Sequence, residues 1–270
     1  MRLLATALVF CACLAAGCSA GNDESSPAEV VREETTSSAL ADGKIVVASN
    51  VAYPPFEFAP RRGPRGFDID LMNEVADRTG LEVEYRNVQF DSLIRGLSSD
   101  LFDAVISGMT ITDDRRQQVD FSDPYYNVDE ALVVRSGSEI ESTGDLENEI
   151  LGVQLGTMGQ AEAGDLLSAG DVEEPVRTYR TIGKAFTALE KEEVDGVIYD
   201  LPAAQTEVER SNGTLELVEV ITTGSQYGIA FPKESPLIEP VNQALAEIKE
   251  DGTYEEIYEE WIGRPPEEIP

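Results

Sequence analysis

The chain predicts an α/β fold built mainly on parallel sheets. Two observations carry this: short apolar runs alternate with amphipathic segments along most of the sequence, and helix start and stop signals fall between those runs. In order, residues 45–49 read as a strand and 70–79 as a helix closed by Gly80. Residues 82–87 follow as a strand, and Asp91 is expected to cap a helix running to Leu97. Residues 103–107 read as a buried strand, and 131–135 as a strand leading out of this unit. A second series repeats the pattern: a strand at 150–154, a turn at 156–159 opening a helix to Leu167, and a helix at 182–190. A strand at 194–199, a helix at 202–211 and a strand at 215–220 complete it. Residues 227–231 return as a strand, followed by helices at 237–249 and 254–261. The chain beyond Gly43 suits two domains of ordinary size.

Composition excludes several classes of function. The 270 residues carry a formal net charge of −32 and include no histidine. Lysine is rare, at Lys44, Lys184, Lys191, Lys233 and Lys249. No nucleic-acid partner is expected, because such a partner needs a basic footprint. Self-repulsion of this size suits a salt-rich habitat, where the Debye length falls to about 3 Å at 1 M. The three cysteines, Cys11, Cys13 and Cys18, all lie near the start. The remainder therefore has no disulfide, thiolate nucleophile, histidine base or Cys/His metal site, and no cofactor or metal is expected.

Arg2 and the apolar run 3–16 read as a signal peptide over residues 1–17, the run being too short to span a bilayer. Ala-Ala-Gly-Cys resembles a bacterial lipobox, with Cys18 as the lipid-bearing residue, although Ala15 stands at the usual apolar position. Residues 18–42 are polar and acidic, cannot bury enough apolar surface to fold, and read as a flexible tether. A coil of this kind reaches roughly 25–30 Å.

Residues 105–126, VISGMTITDDRRQQVDFSDPYY, are the most informative stretch. Thr112 can cap a helix whose first turn holds Asp113 and Asp114. Arg115 offers a planar fork to a free carboxylate, and Ser107, Gly108 and Thr110 are small polar neighbours. GMTITDDR followed by VDFSDPYY resembles the bacterial extracellular solute-binding proteins of family 3, the amino-acid receptors of ABC importers. Further segments fit that family in the same order: VASNVAYPPFEF (47–58), GFDIDLMNEVADRTG (66–80), FDSLIRGL (90–97), VQLGTMGQ (153–160), VDGVIYD (194–200), QYGIAFPKES (226–235) and GTYEEIYEEWIG (252–263). The resemblance runs from about residue 45 to about residue 263.

The resemblance implies a two-lobe, type II periplasmic-binding-protein-like fold with a two-strand hinge. It implies lobe one at 43–133 and 225–270, lobe two at 134–224, and crossings near 133–136 and 222–226. It carries the α-carboxylate arginine onto Arg115 and the α-ammonium aspartate onto Asp200, with aromatic walls at Tyr53 and Phe90. Thr110, the helix start after Thr157, and Met158 join the carboxylate side, and the Gly108 carbonyl the ammonium side. Asn50, Gln154 and Tyr199 fall at the far end, where relatives taking cationic or amide side chains often carry Asp, Lys or His. Asn50 being neutral, a neutral polar amino acid such as glutamine is expected. The implied partners are a free amino acid and a membrane permease, for an extracytoplasmic, lipid-anchored monomer. Two other classes stay open: a sensor acting through a membrane partner, and a dehydratase like those of the same fold acting on cyclohexadienyl substrates. The dehydratase class is weakened by Asn50 standing where a cleft carboxylate would be needed.

Overall fold

The structure is a computed structural model describing residues 41–59, 63–170 and 176–270. The expected signal peptide, Cys18 and the tether up to residue 40 lie outside the described residues. The first unit opens with β1 (Lys44–Ser49), a hairpin of β2 (Ala52–Tyr53) and β3 (Glu57–Phe58), and helix α1 (Phe67–Thr79). There follow β4 (Glu82–Asn87), α2 (Phe90–Leu97), β5 (Ala104–Val105), the short α3 (Asp113–Arg116) and β6 (Asp120–Phe121). The long strand β7 (Tyr126–Arg135) leads to β8 (Leu151–Gln154), α4 (Met158–Ala169), β9 (Arg177–Tyr179) and α5 (Ile182–Glu190). Then come β10 (Gly196–Asp200), α6 (Leu201–Arg210) and a second long strand, β11 (Leu215–Tyr227). The chain ends with β12 (Ala230–Phe231), α7 (Ile238–Glu250) and α8 (Thr253–Ile262).

These elements form two five-stranded sheets, ordered β4-β1-β5-β12-β6 and β11-β7-β10-β8-β9. The return of β12 into the first sheet is what makes the molecule two-lobed. Both sheets are mixed: β1 runs parallel to β4 and β5, and β8 parallel to β9 and β10, while β12, β7 and β11 pair antiparallel. Thus the parallel character expected from the sequence holds for the strands joined through helices, and the returning and crossing strands depart from it.

The crossing strands β7 and β11 pair from Tyr126↔Tyr227 to Arg135↔Leu215. Leu132 and Val133 also pair with Ile198 and Val197 of β10. Residue 133, the expected end of the first lobe segment, thus lies within a strand of the second sheet. The apolar run 131–134 hid this, because a strand buried on both faces reads alike in either lobe. On the return, β11 carries an irregularity between Ile221 and Ser225, where Asp129 Oδ1 accepts from the backbone N–H of Thr223 at 3.0 Å.

Local signals explain most helix ends. In α1, Phe67, Leu71, Met72 and Val75 are fully buried at helical spacing, and Gly80 ends the helix at φ 72°. Asp91 lies in the first turn of α2, and Gln89 occupies the capping position expected for Asp91. Thr112 does cap α3, accepting from the N–H of Arg115 at 3.2 Å. Tyr254 and Tyr258 pack in a cluster of rings with Phe67 and Tyr126. Among the described residues no helix is long and apolar enough to cross a membrane.

Candidate functional site

The carboxyl ends of β1, β5, β8 and β10 converge on one buried cavity between the sheets. Its free interior is only about 10 Å³, room for roughly one water, so the lobes are closed on one another around it. Asn50, Tyr53, Phe90, Ser107, Gly108 and Thr110 line it from the first lobe. Thr157, Met158, Tyr199 and Asp200 line it from the second. Strand ends in α/β sheets leave such a crevice because loops, not helices, cover it.

Arg115 stands at the edge of this space. Its Nη1 donates to the carbonyl of Thr110 at 2.5 Å and its Nη2 to the carbonyl of Gly156 at 2.9 Å, so the guanidinium already reaches across the cleft. Its Cζ lies 5.6 Å from the Phe90 ring centroid, which makes Phe90 a cation–π floor for Arg115 as well as a cavity wall. Burial lowers its pKa to about 10, which leaves it charged at neutral pH.

Asp200 ends β10 and precedes Pro202 of α6. It is only 6 % exposed. Its Oδ2 accepts from the hydroxyl of Tyr53 at 2.5 Å and from that of Tyr227. The two hydroxyls are 2.7 Å apart. Tyr53 is thus more than a wall, since it binds the aspartate of the opposite lobe. Burial and the Asp200 charge push the pKa of both phenols well up, so both remain donors.

At the other end, the Tyr199 hydroxyl donates to Gln154 Oε1 at 3.0 Å, and Gln154 Nε2 lies 3.5 Å from Asn50 Oδ1. Asn50 in turn donates to the carbonyl of Val88 at 3.2 Å. Gln154 is therefore brought to Asn50 and Tyr199 as expected, forming a neutral chain across the cleft. Thr157 caps α4 rather than presenting a free hydroxyl: it accepts from Gln160 N and donates to the Gln154 carbonyl at 2.8 Å. Ser107 also faces inward to the protein, donating to Glu57 Oε1 at 2.7 Å and accepting from Asn50 N at 3.0 Å. Gly108, at φ 50°, turns its N–H onto Asp68 at 2.8 Å, and a side chain there would collide with the Tyr53 ring.

Sequence reasoning missed four acidic or phenolic residues here. Glu57 lines the cavity while fully buried, and Asp68 lies behind it. Desolvation raises both, Asp68 to about 6, and the neighbouring Asp68 charge raises Glu57 further. Tyr227 and Glu130 flank Asp200. The available signal was an acid set between large apolar neighbours, as in Phe56-Glu57-Phe58 and in Glu130 ahead of the run 131–134. Among the described residues no His, Cys, Asp or Glu group could hold a metal ion.

A guanidinium from one lobe and a carboxylate from the other thus stand near one small cavity between the lobes. The family model for bacterial extracellular solute-binding proteins, family 3, matches residues 45–264. The chain belongs to that family. It is similar to ABC transporter arginine-binding protein 1 of Escherichia coli K12, at 36 % identity over 84 % of this chain and 94 % of that protein. It is also similar to a solved ancestral arginine-binding protein bound to arginine, at 38 % identity and a TM-score of 0.77, covering 81 % of this chain and 98 % of the other. A structure of an ancestral arginine-binding protein bound to glutamine matches at 38 % identity and a TM-score of 0.76, covering 82 % and 99 %.

Proposed function

We propose that this protein is the substrate-binding component of an ABC importer, which captures a free amino acid between its closing lobes and delivers it to a membrane permease. One observation carries the reading: beside the cavity that Asp200 lines from one lobe, Arg115 of the other lobe reaches over to the Gly156 carbonyl at 2.9 Å. A ligand whose carboxylate meets Arg115 and whose ammonium meets Asp200 touches both lobes only when they are closed. Its differential affinity then drives closure, with no chemical step. A lipid on Cys18 and the tether after it would hold this monomeric receptor at the outer membrane face, in reach of its permease.

For the ligand's side chain, the neutral chain of Asn50, Gln154 and Tyr199 supports a neutral polar group, with the glutamine carboxamide a fitting example. A second reading, a cationic side chain, is favoured by Glu57, an acid among the cavity-lining residues. Several relatives are named for arginine, and the ancestral arginine-binding protein was solved with glutamine too, so both chemistries occur on this scaffold.

The test is thermal unfolding against the twenty amino acids singly, after unfolding and refolding the protein to strip carried ligand. At 1,000 times its Kd a ligand adds about 4 kcal/mol, which is about 8–16 °C for a chain of this size. A shift of that order for glutamine with little for arginine establishes the neutral reading, and the reverse establishes the cationic one. No shift with any amino acid, in a folded sample, refutes the receptor reading.

A further inference from the structure

The Asp200 carboxylate has a buried neighbour that touches nothing in the cavity. Glu130 lies directly opposite Asp200 in the antiparallel pairing of β7 and β10. It is 1 % exposed, and as a directly opposed pair the two side chains lie on the same face of the sheet, where the Asp200 charge acts on Glu130. Its Oε2 receives no hydrogen bond from any amide or hydroxyl among the described residues. Gly159 packs beside it: a Cβ there would collide with the Ile198 carbonyl and would stand in ordinary contact, 3.5 Å, with Glu130 Oε2.

The charged and titratable groups around Glu130 come from every element packed on it. From β10 come Asp200 and Tyr199, from α4 Glu162, and from β7 itself Asp129. Tyr227 of β11 and Arg115 of α3 also feel its charge. Asp200 carries Tyr53 of β2 on its far side. Of these, Arg115 is the one cation, and its guanidinium hydrogens go to the carbonyls of Thr110 and Gly156. Two opposed buried carboxylates, with no cation bonded to either, cannot both be ionised. A carboxyl oxygen with no donor is best satisfied by carrying the proton itself.

We propose that Glu130 is the positioning residue of the ammonium site: held neutral, it donates a hydrogen bond to Asp200, and so keeps that carboxyl aimed at the cavity. Together with Tyr53 and Tyr227 it supplies three O–H donors to one carboxylate. Desolvation and the Asp200 charge, which raise the Glu130 pKa well above its ordinary value, agree with this geometry. The consequence is a pH signature. As Glu130 loses its proton, two negative charges face each other in a closed, dry site, and affinity for the amino acid falls.

The inference rests on the receptor reading, so the test separates the two. Titration calorimetry measures Kd for L-glutamine and L-arginine from pH 5 to pH 8.5 with the unaltered protein, Glu130→Gln and Glu130→Met. Gln keeps a donor for Asp200 without a titrating proton, and Met keeps the volume without a donor. Expected are a Kd for Glu130→Gln within about threefold of the parent at pH 6 and flat with pH, a Kd for Glu130→Met weaker by tenfold or more, and a parent Kd that rises with pH. Unfolding without ligand identifies loss that is merely structural. Binding by the parent with Glu130→Met matching it, or with parent and Glu130→Gln sharing one pH profile, overturns the inference and leaves the receptor reading intact. Failure of both amino acids, and of the rest of the twenty, to bind the parent overturns both.

Discussion

Replacing Asp200 by asparagine separates the charge of the ammonium site from its shape. The asparagine carbonyl can still accept from Tyr53 and Tyr227, and the side-chain volume barely changes. What disappears is the buried negative charge that faces the ligand. Removing one member of a buried, hydrogen-bonded charge pair costs about 2–5 kcal/mol in binding. At about 1.4 kcal/mol per decade, Kd should weaken roughly 30-fold to several thousand-fold. The unliganded protein should not suffer, because Asp200 is 6 % exposed beside Glu130 and its charge has no bonded cation. Calorimetric titration beside thermal unfolding without ligand gives both quantities. A large loss of affinity with an unchanged or raised unfolding temperature is expected. A loss below about fivefold, or an unfolding temperature that drops in step with affinity, would refute the assignment of Asp200 to the ammonium.

Arg115→Lys keeps a cation but loses the fork that now spans Thr110 and Gly156. Kd should weaken about 10- to 100-fold, from the loss of one charge-assisted hydrogen bond of about 1.5–3 kcal/mol, read by the same titration. Asp68 is raised to about 6 by burial, so the folded state holds its proton above the unfolded value near 3.8. Its contribution to stability is present below about pH 4 and is lost as pH rises through about 6. Asp68→Asn, which still accepts from Gly108 and Tyr125, should flatten denaturant midpoints between pH 4 and 6, leaving the share that belongs to Glu57. Gly66→Ala sets a side chain at φ 135° against the Phe56 carbonyl and should strongly lower the unfolding temperature.

Much of the fold was legible because helix ends carry local chemistry. Gly80, Thr112 and Thr157 mark the boundaries they were expected to mark, and 182–190 is a helix to the residue. The crossing of β7 was not legible, since its pairing with β10 and β11 is a long-range choice that its own apolar residues do not encode. In the site, ten of the residues named from the sequence line the cavity, Arg115 and Gln154 stand outside its lining, and the contacts of several differ from those expected. Ser107 serves Glu57, Thr157 serves its helix, and Tyr53 serves Asp200. The buried acids were missed because an acid in a strand reads as a solvent-facing position until the partner that buries it is known. Glu57 and Asp68 meet only through the packing of α1 on the β2–β3 hairpin, and Glu130 meets Asp200 only through strand register.

The central claim is that both backbone charges of a free amino acid are gripped, one by each lobe. Titration with the tightest-binding amino acid, its α-methyl ester and its des-amino acid tests this most directly. The ester, which has no anion for Arg115, and the des-amino acid, which has no cation for Asp200, should each bind at least 100-fold more weakly. Either analogue binding within tenfold of the parent amino acid would contradict it.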